Sequence, residues 1–264
     1  MSQSFSRPPR ALVGALALAL LAGGASAATL KVSVTNTQAA DGLYLTPLVA
    51  AFHDGTFTTF TEGAVASTGV REIAEEGNPA PFIAENPGRK IAVITSPGGF
   101  AGAPVIDPGE TATLRIAVDK TTERFFSFLS MVIPSNDNFI GNADATAYAL
   151  FDLAGAFTNL GRINVYGGDV WDSGTEVNNN IGAAFNTAGG VDTDEGGVVS
   201  LQASLAGLLG QATPDGTIIG SVPASDALLA TIEISAVPLP AAFPMFLVGI
   251  GALGLIGRRR TKAA

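Results

Sequence analysis

The sequence lacks cysteine altogether and has a single histidine among its 264 residues. Without thiols there is no disulfide framework, no iron–sulfur cluster and no thiol nucleophile. One histidine does not supply a metal site built on two or three histidine ligands. Charged residues make up only 14% of the chain, whereas about 25% is usual in soluble domains. With 47% hydrophobic residues, the composition excludes a charge-rich disordered tail.

Basic residues are scarce as well, with 14 lysines and arginines against 23 aspartates and glutamates. A surface that binds nucleic acid needs clustered lysine and arginine. We therefore expect no nucleic-acid partner for this chain.

Residues 1–27 have the pattern of a secretory signal peptide. Arg7 and Arg10 precede an apolar run, and small residues at 25–27 have the character of a cleavage site. The pattern predicts export and a mature chain that starts near Ala28. A cytosolic protein with an apolar N-terminus is the alternative.

Residues 237–264 form a second distinctive end. The sequence Val-Pro-Leu-Pro-Ala at 237–241 leads into an uncharged apolar stretch, which three arginines at 258–260 follow. About 20 apolar residues suffice to cross a bilayer, and a basic cluster stays on the cytoplasmic side. The three elements in this order resemble the VPLPA variant of the PEP-CTERM sorting signals. A plain C-terminal membrane anchor is the alternative.

That resemblance implies several things about the route of the protein. It implies a Gram-negative bacterium, export through the inner membrane and processing by an exosortase-type enzyme. The C-terminal transmembrane helix would anchor the chain in the membrane before processing, and the protein would reach the cell surface or the extracellular space.

The segment between the two ends, residues 28–236, is strongly acidic. Six of the 14 basic residues lie in the ends and all 23 acidic residues lie between them, which leaves this body with a net charge of −15. Such a body attracts cations and disfavours anionic lipid headgroups.

Alternating and β-rich segments predict that this body is one all-β domain. The predicted strands are Leu30–Asn36, Ile91–Thr95, Thr111–Val118, Phe125–Ile133, Arg162–Tyr166 and Ala230–Ser235. The pattern favours helix only over Val70–Glu76 and Val198–Leu209, where Leu201, Leu205 and Leu208 share a face. Strands with so few helices predict an antiparallel β-sandwich with one or two short helices.

Two predicted strands run into polar loops that carry carboxylates. The first loop contains Asp137, and the second contains Asp169, Asp172 and Glu176. If both loops lie at one end of the sandwich, their oxygens could hold a hard cation such as calcium, which takes about six to eight oxygen ligands. The alternative is that these acids are hydrogen-bonded turn formers.

The same loops carry a specific motif. Residues 127–142 read S-F-x-S-M-x-x-P-S-N-D-x-F-I-G-N, and residues 169–178 read D-x-W-D-x-G-T-E-x-N. Together with the segment 45–55, they resemble the spondin N-type domain over about residues 30–180. The family occurs in bacterial secreted proteins and in animal matrix and adhesion proteins. This chain lacks the cysteines of the animal members.

The resemblance implies a C2-like β-sandwich with a calcium ion at the loop end. Carried over by motif, the calcium ligands would be Asp137, Asp172 and Glu176, the last of which stands where the animal pattern has aspartate. Apart from the resemblance, Trp171 and Tyr166 are expected to anchor the second loop by packing, or alternatively to bind sugar rings. His53 has no serine or cysteine motif nearby, so we expect a hydrogen-bonded structural histidine.

These observations predict a non-enzymatic binding or adhesion module whose partner is an extracellular polysaccharide or another surface protein. A polysaccharide hydrolase with paired carboxylates is an alternative, although no GxSxG, HExxH or P-loop motif occurs. A structural matrix component without a specific ligand is a third interpretation.

Overall fold

The computed structural model describes residues 27–100 and 103–238. Two helices lie among short and long strands, in the following order: β1 (Ala27–Asn36), β2 (Tyr44–Leu45), β3 (Leu48–His53), α1 (Thr68–Glu76), α2 (Ala80–Glu85), β4 (Lys90–Ile94), β5 (Thr111–Asp119), β6 (Phe125–Ile133), β7 (Asn138–Gly141), β8 (Arg162–Tyr166), β9 (Val170–Asp172), β10 (Ser200–Leu201) and β11 (Leu228–Ala236).

The first sheet has four strands in the order β5-β1-β11-β8, all antiparallel. Strand β1 alternates strictly, with Leu30, Val32 and Val34 fully buried and Lys31 and Ser33 on the opposite face. A period of two places one face on the core and the other in solvent. The sheet therefore has one apolar and one polar face.

The second sheet follows the order β10-β9-β7-β6-β3-β4, with β2 paired to β6. Strand β3 is buried at every position, and β6 is buried at all positions but its first. Continuous apolar runs of this kind belong to strands covered on both faces. One face packs on the first sheet. On this face the ring centroids of Phe52 in β3 and Phe126 in β6 lie 5.6 Å apart.

Helices α1 and α2 cover the other face of the second sheet, through residues such as Val70, Ile73 and Phe82. Ser67 caps α1 because its hydroxyl accepts from the Val70 N–H, and Glu85 of α2 accepts from the Ser67 hydroxyl. A serine N-cap of this kind contributes about 1 kcal/mol. The fold is thus a three-layer arrangement of sheet, sheet and helices.

The structure confirms the predicted all-β antiparallel sandwich and each of the six predicted strands, with ends that shift by a few residues. It also confirms a helix over Val70–Glu76, which begins slightly earlier. Two short strands, β7 and β9, lie in segments for which the sequence pattern predicts polar loops.

The predicted helix over Val198–Leu209 is wrong. This segment contains β10, which pairs with β9, and a single 3-10 turn at Ala206–Leu208. Leu205 and Leu208 are buried as expected, but Leu201 is 49% exposed. The backbone N–H of Gln202 donates to Val170 O, so pairing with the edge of the sheet replaces the helical hydrogen bonds.

Within residues 27–100 and 103–238, no helix is long and apolar enough to cross a bilayer. The predicted signal helix and the predicted transmembrane helix fall almost entirely outside these residues. The division into 1–27, 28–236 and 237–264 therefore stays a prediction.

Candidate functional site

The turn between β6 and β7 places Asp137 in the interior of the loop end. The Ser135 hydroxyl donates to Val132 O and accepts from the Asn138 N–H at 3.0 Å, which closes the turn. Asp137 follows Ser135 inside this turn and is 0% exposed. A carboxylate so deep in a protein needs strong hydrogen-bond donors or a cation.

The loop after β9 folds back over Asp137. Strand β9 pairs with β7 so that Asp172 lies opposite Asn138. The Asp172 carboxylate accepts from the Gly174 N–H at 2.7 Å, as in an Asx turn. Gly174 has φ +68°, and a Cβ there would lie 2.5 Å from the Val198 backbone nitrogen. Only glycine fits this turn, which aims the next residues at Asp137.

One oxygen of Asp137 collects the donors of that loop. Oδ2 accepts from the Ser173 hydroxyl at 2.9 Å, the Thr175 N–H at 3.0 Å and the Glu176 N–H at 3.1 Å. The other oxygen, Oδ1, is buried and has no hydrogen-bond partner among the described residues. The Asp137 carboxylate therefore has hydrogen-bond donors at Oδ2 and none among the described residues at Oδ1.

The two aspartates of the site repel each other. Burial and, to a smaller extent, the nearby negative charge of Asp172 raise the pKa of Asp137 from 3.8 to about 6. The donors from Glu176 and Ser173 lower the pKa but only partly offset these effects. At neutral pH this buried carboxylate is therefore largely charged, and it forms no ion pair with any of the described residues.

The backbone N–H of Glu176 donates to Asp137, whereas the Glu176 carboxylate points toward other residues. Its Oε2 accepts from Asn136 Nδ2 at 3.2 Å. Burial, followed by a hydrogen bond to Asp192, raises the pKa of Glu176 to about 7. The structure thus brings Asp137 and Asp172 together, and it turns the third predicted ligand toward Asn136 and Asp192.

The residues present fit a hard divalent cation. Asp137 offers a buried oxygen that has no partner in the described part of the chain, and Asp172 adds a second carboxylate. Both are oxygen ligands of the kind that calcium prefers. In the part of the chain that the structure describes, no three acidic, histidine or cysteine side chains form a metal-holding group. The set of Asp137, Asp172 and Glu176 as calcium ligands stays a prediction.

A shell of amides surrounds the two aspartates. Asn178 Nδ2 donates to Asp172, and Gln202 Nε2 donates to Asn138 Oδ1 at 3.2 Å. Asn138 Nδ2 is buried and has no partner among the described residues. Asn178 belongs to the loop motif. Gln202 lies near the site only because β10 pairs with β9, and no local sequence pattern predicts this pairing.

His53 is a structural residue, as predicted. Its Nδ1 accepts from the Gly55 N–H at 3.1 Å, so the ring proton is on Nε2, which lies 3.0 Å from Ser127 Oγ. The ring therefore donates to the serine and cannot take its proton. Burial lowers the pKa of His53, which keeps the ring neutral.

Trp171 packs beneath the second loop. It is 9% exposed, its ring lies 5.0 Å from that of Phe60, and its indole N–H donates to Gly141 O at 3.1 Å. These contacts favour the predicted anchoring role over the binding of sugar rings, because little of the indole is accessible.

The fold and the loop end define an all-β module with a buried acidic site between β7 and β9. The family model Spondin_N matches residues 38–184, which is more than half of the chain. The chain belongs to the Spondin_N family, which indicates an extracellular spondin-like module. No protein with a curated description matches this chain.

Proposed function

We propose that the protein is an exported, calcium-stabilised binding or adhesion module of the cell surface or extracellular matrix. Its partner would be an extracellular polysaccharide or another surface protein, and its role would be non-enzymatic. The proposal includes sorting by an exosortase-type enzyme in a Gram-negative bacterium, with transient anchoring through residues 237–264 before processing.

The observation that carries the calcium part is the buried Oδ1 of Asp137, which has no partner among the described residues. A buried carboxylate oxygen that lacks a hydrogen-bond partner is costly. Asp137 and Asp172 would hold the ion, and its positive charge would offset their repulsion. Because Asp137 also accepts from Ser173, Thr175 and Glu176, the ion would tie the β6–β7 turn to the loop after β9.

The loop that this ion would order would serve as the recognition surface. A cavity of about 370 Å³ lies beside it, lined by residues that include Arg71, Gly174, Thr175 and Asp194. Rigid loops bind partners with a smaller loss of conformational entropy than mobile ones. The C2-like arrangement implied by the family resemblance would place this surface at one end of the sandwich.

Thermal unfolding of the full-length chain tests the proposal. We expect the midpoint in EGTA to rise when calcium is added in excess. Calcium at about 100 times its Kd would contribute roughly 2.7 kcal/mol, which corresponds to roughly 5 to 10 °C for a domain of this size. The double variant Asp137→Ala, Asp172→Ala should lose the shift.

Asp152→Asn is the matched control, because this exposed aspartate accepts only from its own turn. It should keep the full calcium shift. An unchanged wild-type midpoint, or a shift that persists in the double variant, would exclude the site. Isothermal titration of the wild type with calcium gives an answer even if the double variant does not fold. Glu176→Gln tests the third ligand separately, through the calcium Kd.

A further inference from the structure

The outward face of the first sheet carries an unusual arrangement of positive charge. In the register of β1 with β5, Lys31 is the direct partner of Arg115. Both side chains belong to the solvent side of their strands. Like charges directly opposite each other on neighbouring strands destabilise a sheet. The Lys31–Arg115 pair therefore does not stabilise the fold.

Neither cation of this pair is neutralised within the described residues. Ion pairs there join Arg71 to two acids and Arg162 to Glu233, but none includes Lys31 or Arg115. Asp119, at the end of β5, accepts at Oδ1 from the N–H groups of the turn that follows. Lys31 and Arg115 therefore lie side by side without an ion-pair partner among the described residues, on a body whose net charge is strongly negative. Glu233, which lies opposite Ser33 on the same face, pairs with Arg162.

Hydroxyl groups surround these cations. The next row of the face pairs Ser33 with Thr113 at 3.1 Å, and the row after that pairs Thr35 with Thr111 at 2.8 Å. Beside them lies a cleft of about 600 Å³, lined by residues that include Lys31, Ser33, Arg162, Asn164, Glu233 and Ser235. The lining offers hydrogen-bond donors and acceptors together with two positive charges, from Lys31 and Arg162, and one negative charge, from Glu233.

We propose that this face, defined by Lys31, Arg115 and the adjoining cleft, binds an acidic polysaccharide through the carboxylates of its sugar units. Arginine forms paired hydrogen bonds with a carboxylate, and lysine adds a point charge. Serine and threonine hydroxyls complement sugar hydroxyls. The inference rests on the proposed binding role and names its ligand, but it uses a site remote in the fold from Asp137.

Charge complementarity and the polarity of the face favour a polysaccharide over a phospholipid membrane. Around Lys31 and Arg115 the outward positions of β1 are threonine and serine, and those of β5 are threonine and alanine. These side chains offer no large apolar group to insert among acyl chains. The acidic remainder of the body repels an extended anionic membrane surface, whereas a single polymer chain can follow the sheet face alone.

Binding of the full-length chain to polygalacturonate tests this inference. The assay uses EGTA, so that calcium neither bridges the polymer nor fills the Asp137 site, and circular dichroism checks that the chain is folded. We expect retention at low salt that weakens steeply as salt is added. Methyl-esterified polygalacturonate, which has the same backbone without the charge, should not be retained.

The double variant Lys31→Gln, Arg115→Gln should weaken binding about tenfold, the equivalent of about 1.4 kcal/mol. The control Lys90→Gln, Lys120→Gln removes the same charge elsewhere and should keep near wild-type affinity. No wild-type retention, equal retention of the esterified polymer, or equal losses in the two double variants would overturn the inference.

Vesicles of phosphatidylserine and phosphatidylcholine form the last arm of the test. A larger loss of vesicle binding than of polymer binding in Lys31→Gln, Arg115→Gln would assign the face to lipid and overturn the inference. Failure of the calcium experiment alone would leave the polymer result intact, because the two use different variants and different readouts.

Discussion

The molecule holds two pairs of like charges whose surroundings differ. Asp137 and Asp172 lie at the buried loop end, and Lys31 and Arg115 lie on the solvent side of the first sheet. In the buried pair, loss of water and mutual repulsion raise the pKa of Asp137 to about 6. In the exposed pair, water and salt screen the repulsion. Burial, more than the charges themselves, decides how strongly such a pair affects the protein.

The two pairs also form in different ways. The buried pair depends on two tight turns that bring a loop back onto the start of β7. The exposed pair depends on the long-range register of β1 with β5. Substitutions at the loop end should therefore change stability strongly and with pH, whereas those on the sheet face should change binding strongly and stability little.

The largest effect is expected for Asp137→Asn in the absence of calcium. The pKa of Asp137 rises in the folded state from 3.8 to about 6. The protonated carboxyl therefore stabilises the folded state fully below about pH 3.8, and this contribution is lost as pH rises through about 6. At pH 7.5 the variant should be more stable than wild type by roughly 2 to 3 kcal/mol, and near pH 4 the difference should be small.

Guanidinium unfolding in EGTA at the two pH values measures this difference. Asp152→Asn serves as the exposed control and should change little at either pH. A variant that is less stable than the wild type at pH 7.5 would show that the buried repulsion is already compensated. The same variant should lose its response to calcium.

A smaller effect is expected for Ser173→Ala, compared with Ser33→Ala. The Ser173 hydroxyl donates to the buried Asp137 carboxylate, so its loss should cost about 1 to 2 kcal/mol at pH 7.5. The Ser33 hydroxyl bonds to Thr113 in a solvent-accessible setting, and its loss should change stability by less than about 0.5 kcal/mol. Urea unfolding of both variants checks the contrast, and equal losses would contradict it.

A gain in stability smaller than the loss in Ser173→Ala is expected for Lys31→Glu. The change turns a repulsive partner of Arg115 into an attractive one, which should stabilise the fold by about 0.5 kcal/mol at low salt. Urea unfolding at low and high sodium chloride measures the gain, which should fade as salt screens it. A gain that is independent of salt would point to a cause other than charge.

Much of the fold was predictable because its signals are local. The alternation of Leu30, Val32 and Val34 with polar residues predicts a half-buried strand wherever that strand pairs. The segment Val198–Leu209 was mispredicted because its leucines repeat with helical spacing, while the edge of β9 was free to pair with it. No residue pattern within the segment indicates that it pairs with β9.

Part of the candidate site was likewise predictable from local sequence, and part was not. Asp137 and Asp172 were predictable as neighbours because each sits in a recognisable loop motif, and the structure brings them together. The direction of the Glu176 carboxylate was not predictable, because Asn136 and Asp192 determine it. Asp192 reaches Glu176 through backbone pairing of residues 176–177 with 193–194, which depends on the path of a long loop.

Taken alone, the amino-acid order specified the class of fold, the acidity of the body and the loops that carry carboxylates, since periodicity and composition act over a few neighbouring residues. Only the folded chain decided which oxygen of Asp137 has no partner and that Lys31 faces Arg115. Both depend on contacts between segments far apart in the chain, where burial and strand register are set by the whole packed structure.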